Sequence, residues 1–155
     1  MTTDSAEIPA VAAERPQRSA AATVLVIEDD VAFRDLLGMH LASAGYKVLV
    51  AEDAAVGGRM LLSSKPDLLV LDILLPFLGG LELLQALRLD PNVGRTPVVC
   101  VTSMRDDATY IKAMRLGAAA VLTKPVRADE LLATVAKALK LSTDQEQAHD
   151  RPTNG

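Results

Sequence analysis

The sequence predicts an α/β fold in which a doubly wound parallel sheet carries helices on both faces. Two observations lead to this fold class. Short, continuous apolar runs alternate five times along the chain with longer segments that have helical spacing. Half of the 155 residues are apolar but only 3% are aromatic, so the core must consist of Leu, Val, Ile, Ala and Met. A core of that kind suits helices packed on a sheet.

Five apolar runs are typical of strands that are buried on both faces. They are Val24–Ile27, Val48–Ala51, Leu68–Leu71, Val98–Val101 and Ala120–Thr123. Helices are predicted between them, at about 31–44, 54–64, 106–116 and 128–140. Gly57 and Gly58 oppose the predicted helix at 54–64, because each costs about 1 kcal/mol relative to alanine inside a helix.

Polar residues follow the predicted strands at their carboxyl ends, which a parallel sheet brings to one edge. They are Glu28-Asp29-Asp30, Asp72, Thr102-Ser103 and Lys124-Pro125. Carboxylates crowded into one crevice favour a hard cation such as Mg²⁺, and a lysine and a hydroxyl can hold the oxygens of a phosphoryl group. Asp72, alone after a central strand, is the candidate for a nucleophile that forms an aspartyl phosphate.

Each of these residues also has an ordinary structural interpretation. Asp30 is expected to cap the helix that begins at Val31. An aspartate after a strand is often a turn residue, and a lysine before proline is often a surface residue. The joint occurrence at four strand ends, rather than any single residue, favours a functional site.

Four motifs together resemble the receiver domain of two-component response regulators, of the single-domain, stand-alone type. They are VLVIEDD (24–30), PDLLVLDILLP (66–76) with Gly79-Gly80, VVCVTS (98–103) and LTKP (122–125). The resemblance covers residues 23–141. It implies a flavodoxin-like (βα)5 sheet with strand order 2-1-3-4-5.

The resemblance also implies a role for each site residue. Asp72 would accept a phosphoryl group, Thr102 would bind a phosphoryl oxygen, and Lys124 would pair with Asp72 at rest. The Lys124–Pro125 peptide bond is expected to be cis. The implied cofactor is Mg²⁺, held by Glu28, Asp29, Asp72 and the backbone carbonyl of Leu74. Such a protein is not an enzyme in the usual sense, since it phosphorylates and dephosphorylates only itself.

Three positions depart from the pattern of the family. Val121 stands where many members have a rotating aromatic residue, and Tyr110 is the nearest replacement along the sequence. Leu74 and Met104 occupy the positions that tune dephosphorylation, and neither can orient a water molecule. We therefore expect a long-lived aspartyl phosphate. Val121 also keeps an alternative open, a phosphate-indifferent receiver-like binding module. A phosphatase is disfavoured, because it would need a second carboxylate where Leu74 stands.

The expected partners are a histidine kinase or histidine phosphotransfer protein and an unknown downstream protein. The face formed by the predicted helix at 106–116 (helix 4), the strand Ala120–Thr123 (strand 5) and the helix at 128–140 (helix 5) is the candidate output and homodimer surface. A formal net charge of −4 argues against direct DNA binding. No membrane segment is predicted, and the resemblance implies a bacterial cytoplasm.

The two ends of the chain are predicted to lie outside the folded domain. Residues 1–22 have no periodic apolar face and are expected to form a flexible extension. Residues 142–155 lack Val, Ile, Leu, Met and Phe and are expected to form a disordered polar tail. The single cysteine, Cys100, excludes an internal disulfide.

Overall fold

A computed structural model describes residues 21–149 and contains one five-stranded parallel sheet in the order β2-β1-β3-β4-β5. The strands are β1 (Thr23–Ile27), β2 (Lys47–Ala51), β3 (Leu68–Asp72), β4 (Val98–Thr102) and β5 (Ala120–Thr123). The helices are α1 (Val31–Ser43), α2 (Ala54–Ser64), α3 (Gly80–Leu89), α4 (Asp107–Arg115) and α5 (Ala128–His149). The predicted flavodoxin-like fold and strand order are confirmed.

Burial differs between the strands according to their place in the sheet. All residues of β3 and β4 are buried, and only Thr23 of β1 is partly exposed. In β2, by contrast, Val50 is 45% exposed. The prediction that every strand is buried on both faces is therefore wrong for β2, because β2 forms an edge of the sheet. The other edge strand, β5, is also only partly buried.

The sheet separates two apolar cores. Leu25, Leu71 and Cys100 belong to the core that packs against α2, α3 and α4. Val26 and Val70 belong to the core on the opposite face, which packs against α1 and α5. Successive strand residues point to opposite faces, so both layers of helices are anchored by the same five strands.

Two neighbouring glycines in α2 have different surroundings. A Cβ atom built on Gly57 would lie 2.2 Å from Ile27 Cδ1, whereas one built on Gly58 would lie 3.9 Å from Leu83 Cδ1. Gly57 therefore lets α2 approach β1 closely at the residue that precedes Glu28. The helix itself begins where predicted, with the Asp53 carboxylate accepting a hydrogen bond from the Val56 N–H.

The guanidinium of Arg88, at the end of α3, ties together two loops at the amino edge of the sheet. It donates hydrogen bonds of 2.7–3.1 Å to four backbone carbonyl oxygens, those of Gly94, Thr96, Leu116 and Gly117. The α3–β4 loop and the α4–β5 loop are thus held to the same side chain. We call this arrangement the Arg88 clasp.

The last helix is longer than the sequence predicts. It continues to His149, so the predicted helix end near Lys140 is wrong, and residues 142–149 of the expected disordered tail are helical. The residues after Leu141 include good helix formers and neither glycine nor proline up to His149. A helix does not need apolar side chains to continue into solvent. The Thr143 hydroxyl donates to the Leu139 carbonyl one turn earlier.

Both predicted terminal segments fall partly outside the described residues, at 1–20 and 150–155. None of the helices in the described part of the chain combines the length and the apolar character that crossing a bilayer requires.

Candidate functional site

The carboxyl edge of the sheet collects the polar residues that the sequence singled out. Asp72 ends β3 and Thr102 ends β4, and both are buried. Glu28 directly follows β1 and is 1% exposed, with its N–H bonded to the carbonyl of Ala51 in β2. The backbone pairing of three neighbouring strands therefore fixes where these side chains emerge.

Lys124 joins the acidic residues across the edge. Its Nζ lies 2.8 Å from Glu28 Oε1 and 3.2 Å from Asp72 Oδ2. The Lys124–Pro125 peptide bond is cis, as expected. The resemblance implied a resting pair between Lys124 and Asp72, and the structure adds Glu28 as the nearer partner.

Three carboxylates form a group that can hold a metal ion. Glu28, Asp29 and Asp72 each offer an oxygen atom, and these atoms all lie within 4.8 Å of one another. Glu28 and Asp72 are buried while Asp29 is exposed, so the group opens to solvent on one side. A set of hard oxygen donors with an open side suits Mg²⁺, which keeps part of its water shell.

Crowding changes the acid–base properties of the site. Burial and the neighbouring Asp72 carboxylate raise the pKa of Glu28, although the hydrogen bond from Lys124 opposes the shift. Burial lowers the pKa of Lys124, but its contacts with Glu28 and Asp72 outweigh burial and the net pKa is raised. The charged form of Lys124 is thus favoured, whereas ionisation of Glu28 is disfavoured.

Two backbone N–H groups donate hydrogen bonds to side-chain oxygen atoms of the site. The Leu74 N–H donates to Asp72 Oδ1 at 3.0 Å, and the Met104 N–H donates to the Thr102 hydroxyl oxygen at 3.0 Å. The Thr102 hydroxyl oxygen therefore accepts its hydrogen bond from its own loop. The proposed metal contact of the Leu74 carbonyl stays a prediction.

Sequence reasoning missed one neighbour of Lys124. The Phe33 ring lies with its centroid 4.5 Å from Lys124 Nζ, within the range of a cation–π contact. The helical pattern had placed Phe33 only in the core face of α1. One signal for its location was present in the sequence. Phe33 comes three residues after Asp30, which caps α1 by accepting a hydrogen bond from the Phe33 N–H, so Phe33 lies in the first turn of the helix, near the site.

The loop after Asp72 exposes an apolar rim beside the site. Phe77 is fully exposed and has a φ of +68°. Leu74 and Leu78 in the same loop and Met104 in the β4–α4 loop are 39–48% exposed. The two positions expected to tune dephosphorylation therefore carry apolar side chains that are partly open to solvent.

A match to a known protein family covers most of the folded part of the chain. Residues 24–136 match the response regulator receiver domain. The chain belongs to this family. The match spans β1 to the middle of α5 and includes all the site residues named above. Receiver domains are the phosphoryl-accepting components of two-component signalling systems, and they are not enzymes of the ordinary kind.

Individual relatives agree with this assignment. The chain is 37% identical over 122 residues to the DNA-binding dual master transcriptional regulator RpaA of Synechocystis, covering 79% of the chain and 50% of RpaA. A CheY-like receiver domain protein from Methanospirillum hungatei is 28% identical, with a TM-score of 0.75, and the match covers 81% of this chain and 99% of that one.

The chemotaxis protein CheY4 of Vibrio cholerae is 26% identical, with a TM-score of 0.73, and the match covers 77% of this chain and 99% of CheY4. The chain spans about half the length of the first curated relatives it matches.

Proposed function

We propose that this protein is a phosphorylation-activated response regulator in a two-component His–Asp phosphorelay, with Asp72 as the phosphoryl acceptor. One observation carries the proposal. Asp72 is buried at the end of the central strand β3, with Lys124 on one of its oxygens and two further carboxylates beside it. A structural turn aspartate has no need of such surroundings.

The acceptor step is a displacement at phosphorus. A carboxylate oxygen of Asp72 attacks the phosphorus atom of the donor, the bond to the donor's leaving group breaks, and an acyl phosphate forms. Asp72 Oδ1 is engaged by the Leu74 amide, while Oδ2 faces Lys124. Lys124 Nζ is therefore placed to neutralise charge on the incoming phosphoryl oxygens.

Glu28, Asp29 and Asp72, with the Leu74 carbonyl, are the residues that would hold Mg²⁺. When bound, the ion supplies positive charge to a transition state that is rich in negative charge. The protein's own contribution is to keep the three carboxylates together in spite of their repulsion. Burial and, to a lesser extent, the neighbouring Asp72 carboxylate raise the pKa of the Glu28 carboxyl, so part of the cost of assembling the group falls on Glu28.

Phosphorylation would act as a switch through added charge. An acyl phosphate brings about −1.5 to −2 charge and strong acceptor oxygens, which favour Lys124 and the Thr102 hydroxyl moving toward it. The β4–α4 loop would follow Thr102, and α4 exposes apolar side chains that a partner could bind. Tyr110, Ile111 and Met114 are 38–50% exposed on this helix.

We assign the output to the face formed by α4, β5 and α5, as a surface for a downstream protein or for a second copy of the chain. The phosphodonor would be a histidine kinase or a histidine phosphotransfer protein in a bacterial cytoplasm. RpaA is named as DNA-binding, but this chain's net charge of −4 argues against that role.

The second candidate function is a binding module that is indifferent to phosphate. Val121 supports it, because valine cannot rotate between inward and outward positions as an aromatic ring does. In the structure Val121 is partly buried against the core that holds α2, α3 and α4. The intact set of Asp72, Lys124 and the acidic pair favours the phosphorylated switch over this alternative.

The test is intact-protein mass after incubation with acetyl phosphate, with and without Mg²⁺. We expect a gain of one phosphoryl group that requires Mg²⁺ and is absent in Asp72→Asn. The matched control is Asp67→Asn, which removes an exposed carboxylate from the opposite end of β3 and should leave the gain intact. A folded wild-type protein that gains no mass would support the phosphate-indifferent module.

A further inference from the structure

Phe33 lies between α1 and the lysine of the proposed site. It is in the first turn of α1, where its N–H donates to Asp30 Oδ1 at 3.1 Å. The ring is partly buried against the core that holds α1 and α5. Its centroid lies 4.5 Å from Lys124 Nζ. The sequence from Glu28 to Phe33 therefore supplies two metal-site carboxylates and an aromatic face to one edge of the sheet.

Lys124 and a divalent cation are drawn to the same two carboxylates. Lys124 Nζ contacts Glu28 Oε1 at 2.8 Å and Asp72 Oδ2 at 3.2 Å, and both residues belong to the carboxylate group that suits Mg²⁺. A cation bound by these carboxylates repels the ammonium, and where it takes Glu28 Oε1 or Asp72 Oδ2 it displaces the ammonium from that oxygen. The lysine stem is flexible, and the side chain is already 24% exposed. Without another attachment, the displaced ammonium would turn toward water.

We propose that Phe33 is a positioning residue that retains Lys124 beside Asp72 when a metal ion takes the carboxylates. The ring face attracts the ammonium but cannot bind Mg²⁺ in preference to carboxylate oxygens. The Lys124 ammonium can therefore stay in contact with the ring without competition from the metal ion. The proposal deepens the proposed function and rests on it, because Lys124 is useful near Asp72 only if Asp72 accepts a phosphoryl group.

The first arm of the test uses NMR and needs no phosphodonor. Lysine labelled with ¹³C at Cε reports the ε-methylene protons, and Lys124→Arg assigns the Lys124 signal. We expect an upfield ring-current shift of this signal in the wild type and in Phe33→Tyr, and its loss in Phe33→Leu. On titration with Mg²⁺ alone, the signal should stay upfield in the two ring-containing proteins. In Phe33→Leu it should move to the position of a solvated lysine.

An unshifted Lys124 signal in the wild type, or identical Mg²⁺ titrations in the wild type and Phe33→Leu, would overturn the proposal. Circular dichroism of each variant confirms that it is folded, and Phe33→Met provides a second ring-free variant if Phe33→Leu is not. Both replacements keep an apolar side chain in the core.

The second arm measures the rate of phosphorylation by acetyl phosphate at fixed Mg²⁺. Loss of the ring should slow the reaction about three- to thirtyfold, the range that corresponds to a cation–π contact, while Phe33→Tyr should retain the wild-type rate. In a Lys124→Ala background, Phe33→Leu should have no further effect. An equal slowing with and without Lys124 would mean a merely structural role and would refute the proposal.

The two failures can be told apart. If the wild type takes up no phosphoryl group, the proposed function fails, and the NMR arm still decides whether the ring holds Lys124. If the wild type is phosphorylated and Phe33→Leu matches its rate, only the role of Phe33 fails.

Discussion

The two glycines of α2 give a stability prediction in which one residue controls for its neighbour. Alanine is favoured over glycine inside a helix by about 1 kcal/mol. At Gly58 the new Cβ would make an ordinary contact, 3.9 Å from Leu83 Cδ1. We therefore expect Gly58→Ala to stabilise the protein by up to about 1 kcal/mol.

Gly57→Ala should have the opposite sign. The new Cβ would lie 2.2 Å from Ile27 Cδ1 and 2.7 Å from Ile27 Cγ1, well inside the roughly 3.5–4.0 Å of a carbon–carbon contact. Overpacking of this kind costs about 1–3 kcal/mol. After the gain in helix propensity, the net destabilisation is about 0–2 kcal/mol, and the two variants should differ by about 1–3 kcal/mol.

Urea and thermal unfolding followed by far-ultraviolet circular dichroism measure both variants. For a chain of this size, the difference corresponds to melting temperatures about 2–12 °C apart. Ile27→Val removes the nearest methyl group, so it should cost less in the Gly57→Ala background than in the wild type. Equal stabilisation by the two alanine variants would refute the close packing of α2 on β1.

Three further predictions concern the site and the opposite edge. Glu28→Gln should raise the melting temperature at neutral pH without divalent cations, because burial raises the pKa of Glu28 and its charged form lowers stability. This gain should vanish at acidic pH, where the wild-type Glu28 is protonated. Arg88→Met should lower the free energy of unfolding by about 2–4 kcal/mol, since four backbone carbonyls lose a charged donor. Arg88→Lys should recover only part of this loss in the same denaturation assay. The phosphorylated double variant Leu74→Asn, Met104→Glu should lose its phosphoryl group faster than the wild type in a mass-spectrometric time course. A slower loss from the double variant than from the wild type would contradict the expectation of a long-lived phosphate.

The local sequence pattern predicts where the strands lie but not how exposed each strand is. The five apolar runs locate the strands to within one residue at each end, because a charged or polar residue directly follows each run. The exposure of Val50 follows from the place of β2 at the edge of the sheet, which no local signal carries. The sequence prediction ends α5 too early, because a polar segment need not be disordered and the residues up to His149 favour a helix.

The site was predictable in its members but not in all of its contacts. Strand ends in a parallel sheet converge, so Glu28, Asp72 and Lys124 could be expected together. The shorter contact of Lys124 with Glu28 depends on two side chains that are 96 positions apart. The contact with Phe33 depends on the direction in which its ring points from the first turn of α1. Helical periodicity predicts only the face of the helix on which a residue lies.

The Arg88 clasp has a consequence for how this sequence can diverge. Because the guanidinium bonds to backbone carbonyls, the identity of the partner side chains does not enter the interaction. Gly94 and Gly117 remain restricted for reasons of their own, a Cβ that would meet the Asp90 carbonyl at 2.4 Å and a φ of +86°. At Thr96 and Leu116, substitutions can accumulate without loss of the clasp. A single arginine therefore holds two loops through their backbones, whichever side chains positions 96 and 116 carry.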